Sequence, residues 1–267
     1  MMKILLILEG ERTESDFFQS ILEKFDLKAE LFVVGTNLYT LYHKCSLYNF
    51  ECDVKDVLKE LVNDNATQAI LDQKFAYTYL VFDADLHHKK PEQRNKEISI
   101  TNLLENNFPE LIEMAQHFSD ETDPTIGRLY INYPMMESFR YCNSFNDNNY
   151  LSTYISISDI KSFKQLASQK NLSGLSIDKY NKMNFIDLIC LNIRKTNILM
   201  NGDNENFPTY EMYQNISKAE LIAENQLALS KTSKKLSIIN TSLFIIPDYF
   251  GNKNNFYNDN FLLNGDK

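Results

Sequence analysis

Long apolar runs are missing from this sequence. No stretch approaches the roughly 18 residues that a membrane-spanning helix needs, so no membrane span is expected. Met1 to Leu8 has neither the length nor the small-residue cleavage site of a secretory leader, which points to a cytoplasmic location. Cysteine is scarce: Cys45, Cys52, Cys142 and Cys190 contain no CxxC pair and are too scattered for a disulfide framework, so they read as reduced thiols. There is no internal repeat. There is also no GxxxxGK[ST], which excludes a P-loop nucleotide cycle run by this chain itself.

What is present is ordinary material for a packed interior. The 267 residues are 43% hydrophobic and 24% charged, enough for one large domain or two small ones. The net charge of −9 is unevenly spread. Residues 1–150 hold 14 Lys+Arg against 25 Asp+Glu, or −11, and residues 151–235 hold 11 against 8, or +3. An acidic chain is not suited to nonspecific nucleic-acid binding, because phosphate contacts supply most of that affinity. A polynucleotide would have to be held through metal ions, local basic faces or a partner subunit.

Residues 3–8 (KILLIL) form a continuous apolar run ended by Glu9-Gly10, the pattern of a parallel strand buried on both faces. Thr13 is placed to cap a helix over 14–25, whose Phe17, Phe18, Ile21, Leu22 and Phe25 recur at helical spacing. A second strand is expected over 29–34 and a helix over 54–62; residues 35–50 give no clear pattern. Residues 77–82 (YTYLVF) make the strongest strand and run straight into Asp83-Ala84-Asp85. A polar loop over 87–96, short helices over 98–104 and 109–118, a strand over 128–132 and a helix over 135–142 follow. Strands alternating with helices predict an α/β fold with a mostly parallel sheet. Beyond about residue 150 the pattern turns helical, over 160–170, 181–200 and 210–229. Residues 238–249 suit either a strand or a buried helix, and 252–267 read as a polar, Asn-rich tail. The expected organisation is an α/β domain over 1–148, a mainly helical module over 149–251 and that tail over 252–267.

Ligands of doubly wound sheets sit beyond the carboxyl ends of the strands, where Glu9, Asp83 and Asp85 all fall. In extended chain, residues i and i+2 face the same way, so Asp83 and Asp85 would present two carboxylates on one side. Magnesium takes hard oxygen ligands, and a third carboxylate from a neighbouring strand would complete a site. Without a cation, three clustered carboxylates repel one another and their pKa values rise. The plain alternative is three solvated acids at strand ends, since Asp is common in such loops.

Residues 7–14 (ILEGERTE) with Phe17-Phe18, then Phe82-Asp83-Ala84-Asp85, resemble the signature of the Toprim domain: a glutamate after the first strand and an aspartate pair after a later one. In detail the chain resembles the RloB and AbiLii group and the Toprim nuclease subunits of phage-defence systems such as PARIS. Residues 132–139 (NYPMMESF) are similar to a third motif of that group, with Phe139 where Trp often stands. The resemblance covers residues 1 to about 145, and is loose beyond, through 239–242 (INTS) and 248–251 (DYFG). It implies a Toprim-like sheet flanked by helices, with Glu9 as metal ligand or general acid/base. Asp83 and Asp85 would hold Mg²⁺ (or Mn²⁺) against a scissile phosphate, with Glu137 as an accessory carboxylate.

Other residues stand near these motifs. Glu11 and Glu14 could assist, though acids in the first turn of a helix are ordinary dipole partners. His87 or His88 could reach the site, but adjacent residues of an extended loop face opposite ways. Lys89 and Lys90 could meet a phosphate, as could Lys231, Lys234 and Lys235, whose spacing would put them on one helical face. The resemblance implies a Mg²⁺-dependent nuclease of RNA, for example tRNA, or DNA. Such a nuclease would be a toxic effector in antiviral defence by abortive infection, with a separate ATPase sensor subunit as partner and room for a homodimer. The alternatives are a nucleotidyl or phosphoryl transferase using the same site, and a non-catalytic docking subunit of a defence ATPase complex.

Overall fold

A computed structural model of the chain describes residues 3–10, 12–62, 65–123, 125–170 and 172–265. The first strand, β1 (Ile4–Leu8), is buried at every position, as its unbroken apolar run requires. It is followed by α1 (Thr13–Lys24), which turns Phe17, Phe18, Ile21 and Leu22 onto the sheet, and then by β2 (Ala29–Val33). Thr13 is not the cap. Arg12 accepts from the Asp16 amide and occupies that position with no side-chain bond, so the helix begins one residue earlier than the Thr13 signal suggests. The unassigned stretch 35–50 holds α2 (Leu38–Ser46), capped by Asn37, whose side chain accepts from the Thr40 amide at 3.0 Å.

After α3 (Val54–Leu61) and α4 (Asn65–Leu71) the chain enters β3 (Tyr77–Asp83). The two short helices expected next are a single one, α5 (Ile100–His117), with Pro109 inside it. Proline removes one N–H donor, and both Pro109 and Glu105, whose carbonyl loses it, are exposed, so water can replace that bond. A two-residue edge strand, β4 (Ser119–Asp120), and β5 (Gly127–Asn132) complete the sheet in the order β2-β1-β3-β5-β4. All pairings are parallel except β4 with β5. Leu8 lies opposite Val81 and Asp83 opposite Asn132, so the carboxyl ends of the three central strands stand side by side.

Beyond the cis Tyr133–Pro134 bond, the helix expected over 135–142 is a short 3₁₀ turn, Met136–Arg140. The C-terminal part is mainly helical, with a two-stranded antiparallel sheet of β6 (Tyr154–Ser156) and β7 (Lys235–Ser237). Its helices are α6 (Phe163–Lys170), α7 (Lys182–Asn201), α8 (Tyr210–Ile216), α9 (Ala219–Ser233) and α10 (Ile245–Phe250). The pattern over 210–229 is thus two helices, and 238–249 resolves to a 3₁₀ turn, Thr241–Phe244, leading into α10. A single hydrophobic core runs from Ile4 to Phe261. Phe17 of α1 meets Phe185 of α7 at 5.7 Å, so segments 1–148 and 149–251 share an interior. The stretch read as a polar tail is anchored by buried Tyr257 and Phe261, with Tyr257 Oη donating to the Pro208 carbonyl at 3.1 Å. Among the described residues, no helix is long and apolar enough to cross a membrane.

Candidate active site

Glu9 continues the β1 ladder, its amide donating to the Val81 carbonyl at 3.2 Å, and its side chain turns across to β3. There Glu9 Oε2 accepts from the Asp83 amide at 2.9 Å. Asp83, the last residue of β3, accepts in turn through Oδ1 from the Met136 amide at 2.6 Å. Residues 74 apart in sequence and a third stretch 53 further on therefore meet at one end of the sheet. The extended geometry expected to align Asp83 with Asp85 does not persist, because Asp85 has φ +41° and starts a turn closed by the His88 amide on the Asp85 carbonyl at 2.7 Å. Ala84 is buried, as its small size suggested, with its carbonyl bonded by Tyr39 Oη at 2.9 Å.

Glu14 and Glu137, both buried, complete the acidic cluster. Gly10 makes room for Glu14, since a Cβ at that position would sit 2.8 Å from Glu14 Cδ. Burial pushes the Glu9 carboxyl up to about 8, opposed by the Asp83 amide and reinforced by the charges of Asp85 and Glu14. Burial likewise raises Asp83 well above the usual carboxylate range, with Glu9, Glu14 and Glu137 adding repulsion. Glu14 is raised by burial and by Glu137.

Among the described residues, Lys164 of α6 is the lysine or arginine paired with this cluster, its Nζ 2.8 Å from Glu137 Oε1. Its pKa is raised by that hydrogen bond and by the surrounding carboxylates, Glu14 and Asp83 among them. Sequence reading missed it, because nothing in FKQLASQK sets that lysine apart until α6 packs on the 136–140 turn. The Asn-Thr-Ser stretch proves structural. Asn240 Nδ2 donates to the Met136 carbonyl at 2.9 Å, Thr241 Oγ1 to the Ile131 carbonyl at 2.9 Å, and the Ser242 amide to Asn132 Oδ1 at 3.3 Å. The Asn240 amide also donates to Asn192 Oδ1 of α7 at 2.8 Å, so the C-terminal helices help hold the peptide that contacts Asp83.

The remaining sequence candidates fall as follows. His87 Nδ1 lies 3.3 Å from Asp85 Oδ1 and is buried without a hydrogen bond. Lys89 Nζ is turned away to the Lys96 carbonyl at 2.6 Å. Lys231, Lys234 and Lys235 do not share a helical face: α9 ends at Ser233, Lys234 is left-handed at φ +58°, and Lys235 opens β7. No hydrogen bond or ion pair joins them to the carboxylates. Glu11 lies outside the described residues.

The donor set is made of carboxylate oxygens whose mutual repulsion a hard cation would relieve, with His87 Nδ1 3.3 Å from Asp85 Oδ1. Among the described residues, no three His, Cys, Asp or Glu side chains are grouped so that they alone could hold an ion. Comparison of the chain with family models, curated proteins and solved structures finds no match.

Proposed function

We propose that this chain is a metal-dependent nuclease of the Toprim kind, with Glu9, Asp83 and Asp85 at its centre. The observation that carries the reading is the Glu9 side chain reaching across the sheet to the Asp83 amide at 2.9 Å, within a cluster of carboxylates drawn from four separate stretches. Buried carboxylates whose charges repel one another are concentrated at functional sites. A scaffold has no use for them.

Asp83 and Asp85 would hold Mg²⁺ or Mn²⁺, which when bound neutralises charge developing on a phosphate. Glu9, fixed by its bond to the Asp83 amide, would act as general acid/base or as a further metal ligand. Lys164 offsets the acidic cluster and stands on the exposed side, where a phosphate would approach. The reading carries with it a role as toxic effector in antiviral defence, delivered to its RNA or DNA by a separate ATPase subunit, which the net −11 of residues 1–150 favours over free binding to duplex.

Purified protein incubated with RNA and with DNA in Mg²⁺ or Mn²⁺ tests this. Cleavage that falls at least about a hundredfold in both Glu9→Ala and Asp83→Ala is expected, the scale of losing one electrostatic stabiliser. Cleavage equal in the wild type and both variants refutes the assignment.

A further inference from the structure

A cleft of about 460 Å³ opens between α2 and the loop that follows β3, its Tyr39 bonded to the carbonyl of Ala84, which stands between Asp83 and Asp85. Tyr39, Tyr42, His88, Lys90, Arg94 and Glu110 are among the residues that line it. Tyr39 and His88 are stacked nearly parallel, with ring centroids 4.9 Å apart and planes 10° from each other. The stack is fixed from behind. Tyr39 Oη donates to the Ala84 carbonyl at 2.9 Å, His88 Nδ1 meets Asn37 Nδ2 at 3.1 Å, and Asn107 Nδ2 donates to the His88 carbonyl at 3.0 Å. Ala84 lies between Asp83 and Asp85, so the same peptide that orients the acids also orients the rings.

The charge of the cleft runs against that of the chain. Lys90 is paired with Glu110, but Arg94 is exposed and has no ion-pair partner among the described residues. A ring fixed in this way, with an exposed guanidinium beside it, offers a planar face and an anion contact. Those are the two elements with which proteins hold unpaired nucleotides. A base inside a duplex is stacked on both faces and cannot reach such a platform without being turned out of the helix.

We infer that this cleft is a subsite for one unpaired nucleotide, its base continuing the Tyr39–His88 stack and its phosphate meeting Arg94, so that the neighbouring phosphodiester lies at the carboxylates. The substrate class is therefore single-stranded polynucleotide or a splayed-out loop, not regular duplex. The inference rests on the nuclease reading for its purpose, while its binding test is independent of cleavage.

The test is fluorescence anisotropy with labelled single-stranded RNA, the same sequence as DNA, the matching duplexes, and a single strand carrying abasic sites, with Ca²⁺ replacing Mg²⁺. Single strands of either sugar are expected to bind at least tenfold more tightly than duplex or abasic strand. His88→Ala should weaken single-strand binding roughly tenfold, the scale of one base–aromatic stack. Arg94→Ala should weaken it and lower the salt slope by about one. Arg94 is exposed, so that variant keeps the test open if His88→Ala misfolds. Equal binding of duplex and single strand, no binding by the wild type, or no change in either folded variant overturns the subsite. Selective single-strand binding without Mg²⁺-dependent cleavage supports the subsite and refutes the nuclease reading; cleavage with KM unmoved in both variants does the reverse.

Discussion

At the amino end of β5, Asp248 of α10 has its charge met by Arg128 at 3.0 Å and both oxygens taken, by Tyr130 and by Tyr213, each at 2.7 Å. At the carboxyl ends of β1 and β3, Glu9 and Asp83 receive backbone donors, face other carboxylates, and have no ion pair among the described residues. Both clusters are partly or fully withdrawn from water, yet the protein completes one and leaves the other in deficit. A completed cluster holds the fold together: Asp248 ties α10 and α8 to the sheet. An incomplete one costs stability and is retained where something outside the chain supplies the missing charge.

The largest effect that would break this contrast lies at the completed end. Asp248→Ala removes the nearer of the two carboxylates of Arg128, leaving Glu121 at 3.6 Å, and takes the acceptor from the buried Tyr130 hydroxyl, and denaturant unfolding should show a loss of about 3–5 kcal/mol. A loss as small as that of a surface substitution would place Asp248 with the solvated acids. At the incomplete end the sign reverses. The Glu9 carboxyl, raised from its ordinary 4.5 to about 8, favours folding most below pH 4.5, and that contribution is lost as pH rises through 8. Glu9→Gln keeps an oxygen for the Asp83 amide and removes the charge. Without metal it should unfold later than the wild type at pH 8.5 by about 1–3 kcal/mol, each tenfold in proton affinity being about 1.4 kcal/mol. The gap should close toward pH 5, and thermal melts across that range read it. A variant less stable than wild type at pH 8.5 would mean that the charge is already balanced. Smallest of all, Lys164→Ala should shift stability by less than about 1 kcal/mol, because its side chain is 73% exposed. A cleavage defect alongside unchanged melting would assign that lysine to the reaction and not to the fold.

The central strands were legible because they are buried on both faces, and only unbroken runs such as ILLIL and YTYLVF satisfy that position. Glu9 and Asp83 were legible as polar residues ending such runs. Helix ends and joins were not. Pro109 argued for a break, but the helix continues through it because the carbonyl left without a donor faces solvent. The 210–229 pattern hid a turn at Ser217–Lys218, where apolar spacing carries on although the backbone does not. Strand periodicity likewise ends where the strand does, and Asp85 is already left-handed.

The sequence alone determined which strands lie at the centre of the sheet and which acids stand at their ends, because burial on two faces and the exit from it are local properties of the chain. Only the tertiary structure decided that Lys164 faces Glu137, that Asn240 braces the Met136 peptide bonded to Asp83, and that Tyr39 stacks on His88. Those contacts join residues tens of positions apart, and no periodicity within either segment records the packing that brings them together.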